Sequence, residues 1–343
     1  MDKELKKIDF LAIGDTVIDA FIKLKDAYIN CRVDSSTCEL CMPFGDKIPY
    51  ESVNIVYAVG NSSNAAVCAA RLGLNTAFMT NIGGDQNGKD CLAVWKKEKV
   101  DTAFVKIEKN KITNYHYVLW YDVDRTILIK HQSYERKWIN TEESKEHHSP
   151  SWIYLSSMGE NSLPFHTEIS DYLKRHEDVK LAFQPGTYQI KFGTENLKEI
   201  YARTEIYFSN LEETQKILKT EEKDVLTLSK GIQALGPKMV VISDGSNGSY
   251  LYFNNELWYN IIYPDIAPPL ERTGAGDAFS STFTAALALG KPPLEALSWG
   301  PINSMSVVQK IGAQEGLLTR EKLEEYLKVA PENYKVKKIN PHT

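Results

Sequence analysis

The sequence predicts an α/β protein: a mostly parallel central sheet with helices on both faces. Two observations lead there. From about residue 152 onward, short apolar runs alternate with helical stretches, and strand and helix in alternation imply crossovers and a parallel sheet. Near the end of the chain, the small-residue turn Thr273-Gly274-Ala275-Gly276-Asp277 opens a helix marked by Phe279, Phe283 and Leu287 at fourfold spacing. The 343 residues are 43% hydrophobic, enough to bury a large core in one big domain or two smaller ones.

Taken in order, residues 8–13 (IDFLAI) read as a buried strand ended by Gly14, and 16–24 as a strand that leaves the main sheet. From about 26 to 51 there is no helical period, and Pro43, Gly45 and Pro49 break the run into short strands and turns. Residues 61–72 form a small-residue helix ended by Gly73, 77–82 a buried strand, and 88–99 a helix after the Gly83-Gly84 turn. Between 113 and 130, two aromatic and β-branched runs flank Asp122-Val123-Asp124, the pattern of a hairpin. Strands follow at 152–155, 179–183, 206–208 and 239–242, with helices at 165–175, 211–218 and 224–235. A late hairpin pairs 250–253 with 257–259, helices from 276 and over 294–310 close the domain, and 331–343 read as a polar tail with Pro331 and Pro341.

Composition excludes several classes. Lys plus Arg is 40 against 45 for Asp plus Glu, a net charge of −5 without a long basic run, so nothing calls for nucleic acid or an anionic membrane. The start MDKELKKIDFLAIG has no apolar core of a signal peptide and no apolar run approaches about 18 residues; the expectation is a cytoplasmic protein. Five cysteines make no disulfide framework, and Cys38 and Cys41 form a single CxxC without a second pair. We expect ordinary reduced thiols rather than zinc. The histidines show no ligand spacing, and His147-His148 reads as solvated.

The chemistry concentrates at the turn before the 276 helix. Small residues there leave backbone N–H groups uncovered, and with the helix dipole they make an anion site. A carboxylate in such a place is odd unless its task is to take a proton. Asp277 beside the amides of Gly274, Ala275 and Gly276 therefore suits phosphoryl transfer to a hydroxyl; the plainer alternative is a turn with Asp as a cap. The string from Gly83 to Lys89 mimics a P-loop, but Asp90 stands where a hydroxyl is required, so that reading fails.

This turn resembles the second signature of the ribokinase-like (PfkB) family of carbohydrate and nucleoside kinases, D-T-x-G-A-G-D. Residues 273–277 match, while Glu271 and Arg272 replace the usual Asp and Thr. The resemblance implies Asp277 as catalytic base and Gly274, Ala275 and Gly276 as anion hole. It covers nearly the whole order of elements and implies a large α/β domain (1–15, 59–108 and 132–330) with a small β-sheet lid (16–58 and 109–131) that excludes water and pairs between subunits in a homodimer. Gly60 and Asn64 match the first signature, with Val59 in place of a glycine and Asn61 as a helix cap on the plainer reading. Asp19 matches the sugar-binding aspartate, with Asp15 as a competitor. Gly83 and Gly84 match a turn that approaches the substrate.

Asn210 and Glu213 match N-x-x-E, which helps place magnesium and phosphate, although the same pair makes a capping box. Ser243, Gly245 and Gly248 resemble the nucleotide loop, and Asn303 falls where relatives contact adenine. Arg272 is expected either to reach a phosphate as a bidentate donor or to form a surface salt bridge with Glu271, and Thr273 is expected among the nucleotide-binding residues. The implied cofactors are ATP and Mg2+, and the resemblance leaves open a monovalent cation (K+). The implied partner is a small sugar or nucleoside. Lys47 and Arg125 would suit a sugar phosphate as in a phosphofructokinase-like enzyme, and aromatics such as Tyr117 and Trp120 a nucleoside base. A non-catalytic sugar- or nucleotide-binding member of the family is the rival, but pure binding needs no base.

Overall fold

The computed structural model describes residues 7–31, 38–122, 124–139 and 149–339; His147, His148, Val123 and Pro341 lie outside them. The strands are β1 (Phe10–Ile13), β2 (Val17–Leu24), β3 (Tyr28–Cys31), β4 (Cys38–Cys41), β5 (Tyr50–Val59), β6 (Thr76–Gly83), β7 (Val105–Glu108), β8 (Tyr115–Tyr121), β9 (Asp124–Leu128), β10 (Trp152–Leu155), β11 (Lys180–Phe183), β12 (Thr204–Asn210), β13 (Met239–Ser243), β14 (Ser249–Phe253), β15 (Glu256–Asn260) and β16 (Lys337–Ile339). The helices are α1 (Asn61–Arg71), α2 (Gln86–Lys97), α3 (Leu163–Arg175), α4 (Thr187–Asn196), α5 (Lys198–Arg203), α6 (Leu211–Leu218), α7 (Val225–Gln233), α8 (Ala275–Ala288), α9 (Pro293–Val307) and α10 (Arg320–Lys328).

Ten strands form the large sheet in the order β16-β15-β14-β13-β12-β11-β10-β1-β6-β7. The seven from β13 to β7 run parallel, and β14, β15 and β16 add an antiparallel edge. Side chains alternate across a strand, so a sheet buried on both sides needs apolar residues at every position. Thus Phe10, Ala12 and Tyr154 face a layer made by α1, α2, α8 and α9, with Ala65, Trp95, Phe283 and Trp299 in its core. Leu11, Ile13 and Ile153 face the opposite layer, where α3, α5 and α7 bring Ile169, Ile200 and Leu228.

A four-stranded sheet, β5-β2-β8-β9, stands apart from the large one. Its register puts Asp19 opposite His116, and Trp120 opposite Arg125. Period-2 alternation then splits the two faces. One row is Ile55, Ala20, Tyr117 and Leu128; the other face carries Asp19, His116, Val118, Trp120 and Arg125.

Several expectations need correction. Cys31 and Cys38 are opposed in the β3–β4 ribbon, Cα to Cα 4.1 Å, and are disulfide-bonded. The expectation of reduced thiols fails for this pair, because the neighbour that matters lies across the ladder rather than along the CxxC. Cys41, Cys68 and Cys91 are free. The stretch read as a polar tail ends in β16, which extends the large sheet beside β15. Tyr334 anchors it: the side chain is buried, its hydroxyl donates to the Ser298 carbonyl at 2.6 Å, and its ring meets Tyr263 edge-on at 5.0 Å. The strand β7 and the helices α4, α5 and α10 were also not foreseen. In α4, Gly193 sits at φ 79° and interrupts the helical period.

Removing the Tyr334 ring leaves a cavity and an unpaired carbonyl. Tyr334→Ala should lower the free energy of unfolding by about 3 kcal/mol, read as a shift of the urea midpoint. A midpoint equal to that of the parent protein would show the C-terminal strand to be dispensable.

Candidate active site

The site forms where the parallel strands end, beyond the carboxyl termini of β1, β11, β12 and β13. The turn into α8 is its centre. Gly274 takes the left-handed conformation, φ 81°, and a Cβ there would collide with Ala313; only glycine meets both conditions. No side chain caps α8, so its first amides are left for a ligand. Gly276 has open space on the side where a Cβ would stand. The hydroxyls of Ser280 and Ser281 donate back to the carbonyls of Gly276 and Asp277, at 2.6 and 2.5 Å, and brace the first turn.

Asp277 lines a cavity of about 250 Å3 with Asn61, Gln184, Asn210, Glu213, Gly274 and Gly276. Three amide groups hold its carboxylate: Asn61 Nδ2 donates to Oδ1 at 2.8 Å, Asn64 Nδ2 to Oδ2 at 2.9 Å, and Gln184 Nε2 to Oδ1 at 3.3 Å. Two of the amides are supported in turn. Gln184 Oε1 accepts from the Tyr154 hydroxyl, and Asn64 Oδ1 accepts from Gln314 Nε2 at 3.0 Å. Enclosure by the protein pushes the Asp277 carboxyl above the ordinary carboxylate pKa, and the three donors offset only part of that rise.

A second cavity of about 270 Å3 adjoins the first and shares Ser243, Gly276 and Phe279 with it. Ser243, Gly245, Gly248 and Arg272 line its polar side, and Ile262, Tyr263 and Met305 its apolar side. Asn210 and Glu213 do form the expected capping box, with Glu213 N to Asn210 Oδ1 at 2.8 Å and Asn210 N to Glu213 Oε2 at 3.0 Å. Both also face the first cavity, and burial pushes the Glu213 carboxyl up. Among the described residues, no three carboxylate, His or Cys side chains cluster as a metal cage. Two oxygen donors on an open cavity suit a hard cation that keeps its waters and shares a phosphate.

On the other side of Asp277, Asp19 projects from β2 with His116 Nδ1 3.6 Å from its Oδ1. Burial, then the nearby Glu271, raise Asp19 to about 7, and Arg125 opposes the shift. Desolvation, then the neighbouring His131, depress His116 to about 4. Glu271 is buried, and its Oε1 accepts from Thr273 N at 2.6 Å. Gly60, at φ 107°, lets α1 begin directly above Asp15, so Asn61 turns to Asp277 instead of capping.

Five expected residues stand elsewhere. Asp15 is a buried anion paired with Arg136, whose Nη2 reaches Oδ1 at 2.7 Å and Oδ2 at 2.6 Å, and it also accepts from Gly159 N at 2.8 Å. Its oxygens are engaged, and hydrogen bonds and the guanidinium charge outweigh burial to hold it below the ordinary carboxylate value. Lys47 sits exposed before β5 and lines neither cavity. Asn303 is fully buried against Thr282 at 2.7 Å and accepts from Leu318 N at 2.9 Å; one residue on, Ser304 faces the second cavity. Gly83 and Gly84 press against the backbone of residues 109–113 rather than a ligand space. Sequence reasoning missed Gln184 entirely. Its only local signal is a polar residue directly after the apolar run of β11.

A doubly wound sheet, an uncapped helix start beside a held carboxylate, and two joined cavities define a phosphotransferase class of site. Residues 36–320 match the pattern of the pfkB family of carbohydrate kinases, and the chain belongs to that family. The 5-dehydro-2-deoxygluconokinase of Geobacillus thermodenitrificans is 23% identical over 339 residues, 94% of both chains. The ribokinase of Haemophilus influenzae is 25% identical over 291 residues, 83% of this chain and 92% of its own. Arabidopsis thaliana ribokinase, solved with ribose and ATP, superposes with a TM-score of 0.75 at 20% identity, covering 94% of this chain and 99% of its own. The protein is thus a sugar kinase of the ribokinase family, an ATP-dependent phosphotransferase with an alcohol acceptor. Among the described residues, no helix is long and apolar enough to cross a membrane.

The raised Asp19 value has a sign that can be tested. The folded protein holds its proton up to about pH 7 while the unfolded chain releases it near pH 4, so this group makes stability fall between those values, by at most about 4 kcal/mol. His116, depressed to about 4, acts in the opposite sense below pH 6.5, so the comparison must be with a variant. Asp19→Asn should gain stability over the parent protein as pH rises from 5 to 8, measured by denaturant titration. Parallel stability curves would refute the shift.

Proposed function

We propose that Asp277 is the general base of this kinase and that the α8 turn is its anion hole. The observation that carries the reading is the position of Asp277, held by three neutral amides on the wall of one cavity and next to uncapped helix amides shared with a second. Asn61, Asn64 and Gln184 orient the carboxylate without placing a positive charge on it. A base so held can both give and take a proton. The acceptor hydroxyl passes its proton to Asp277 as its oxygen forms a bond to the γ-phosphorus, and the bond to the leaving ADP breaks in line. The Gly274, Ala275 and Gly276 amides receive the charge spread over the phosphoryl oxygens.

ATP fits the second cavity, with its phosphates toward Gly276 and Arg272 and its base against Ile262, Tyr263 and Met305. Ser243, Gly245 and Gly248 border the phosphate path, and Thr273 begins the anion turn. Asn210 and Glu213 would hold Mg2+, which would supply charge neutralisation to the phosphates. The acceptor is an unphosphorylated sugar or nucleoside, bound by Asp19, Asn64 and the backbone at Gly60, with the small sheet as lid. K+ dependence is not part of this reading, since Glu271 and Arg272 replace the family's usual pair.

A homodimer through the lid follows from the outer face of the small sheet. Val53, Ile55, Tyr117 and Leu128 are 45%, 46%, 48% and 51% exposed and share one apolar face, which a second copy would cover. Ile55→Asp should convert the dimer to a monomer in sedimentation velocity. A parent protein that sediments as a monomer at tens of micromolar would overturn this part.

Asp277→Asn should keep ATP binding by calorimetry and lose roughly 100-fold or more in turnover. A coupled ADP-release screen over pentoses, hexoses, nucleosides and sugar phosphates identifies the acceptor. If the variant matches the parent on the best acceptor, Asp277 is not the base.

A further inference from the structure

One ion pair joins the small sheet to the anion turn. Arg125, on the site-facing side of β9, places its Nε 3.4 Å from Glu271 Oε1. That carboxylate is 5% exposed, and the same oxygen accepts from Thr273 N, the residue just before Gly274. Its main chain is fixed as well, since Glu271 N donates to the Val308 carbonyl at 3.2 Å. Glu271 Oε2 is buried with no hydrogen-bond partner among the described residues. A buried carboxylate in that state is costly unless a neighbouring cation compensates it.

We propose that Arg125 is a positioning residue that couples closure of the lid to the setting of the anion turn, acting through Glu271. The inference rests on the kinase reading above. With the small sheet against the large domain, the guanidinium compensates Glu271, and the charged carboxylate grips Thr273 N and steadies the turn that presents the Gly274–Gly276 amides. When the sheet swings away, Glu271 loses its cation. It then turns toward water, and its hold on Thr273 N weakens. The phosphate-binding amides are therefore fully arranged only when the lid covers the acceptor. Arg125 also lies within electrostatic reach of Asp19, so the same guanidinium sits at the junction of acceptor and phosphate sites. This arrangement would suppress hydrolysis of ATP in the open protein, because water would meet an unset anion turn.

The test is a double-mutant cycle with Arg125→Gln, Glu271→Gln and both together. Turnover, the acceptor KM and the calorimetric Kd for ATP are measured on each. Arg125→Gln should lower kcat by tenfold or more and shift the ATP Kd by less than about threefold, and the double variant should recover at least about fivefold over the product of the single losses. Arg125→Lys, which keeps the charge, should restore part of kcat; a purely structural loss would not follow charge. Multiplying effects, or wild-type kcat in Arg125→Gln, would overturn the proposal. The same cycle on the melting temperature of the ligand-free protein needs no turnover. If the parent protein phosphorylates no acceptor, the kinase reading fails, and additive melting shifts would then sink this coupling independently.

Discussion

A carboxylate held by neutral donors next to an uncapped helix is the arrangement on which the rest of this structure depends. Two acids near the carboxyl ends of the strands show why the kind of partner matters. Asp15 is bound bidentately by Arg136 and is held below the ordinary carboxylate range. Asp277 meets only amides, and burial lifts it. The same side chain thus serves as a fixed counter-charge in one place and as a group able to exchange a proton in the other. Had a lysine stood in place of Gln184, the carboxylate would be tied to its anionic form.

Holding Asp277 this way requires elements distant in the chain. Asn61 and Asn64 come from the first turn of α1, Gln184 from the end of β11, and Asp277 itself from α8. Three to four residues apart on a helix, Asn61 and Asn64 fall on one face. Small residues such as Ala65, Ala66 and Ala69 then pack α1 into the same layer as α8. The two-layer core is therefore part of the site. Large residues at those alanines would push α1 away and part the amides from the carboxylate.

This also explains which features were legible in the sequence. The turn 273–277 was readable because its chemistry is local: small residues, an exposed helix start and an acid within five positions. The main strands were readable because burial on both sides leaves nearly continuous apolar runs. Asp15 and Asn303 were misplaced because their settings are not local. Asp15 is claimed by Arg136, 121 residues away, and a step of about 100° around α9 puts Ser304, not Asn303, on the nucleotide side. Cys31 and Cys38 meet across a ladder whose register no spacing rule reveals. Gln184 lacked any motif, because what makes it functional is the ring of partners around it, Tyr154 among them.

The two cavities share a wall made of Gly276, Ser243 and Phe279, and that sharing sets the direction of the chemistry. On the proposed reading, a nucleotide in the larger, more apolar space would extend its phosphates past Gly276 and an acceptor at Asp19 would approach from the side of Asp277, the opposed arrangement that in-line displacement requires. Charge supports the same order. Asp19, Glu271 and Asp277 act on one another electrostatically: after burial, Glu271 and then Asp277 raise Asp19, against Arg125. On the proposed reading, these carboxylates disfavour a triphosphate in the acceptor pocket, whereas the helix start attracts it by its dipole.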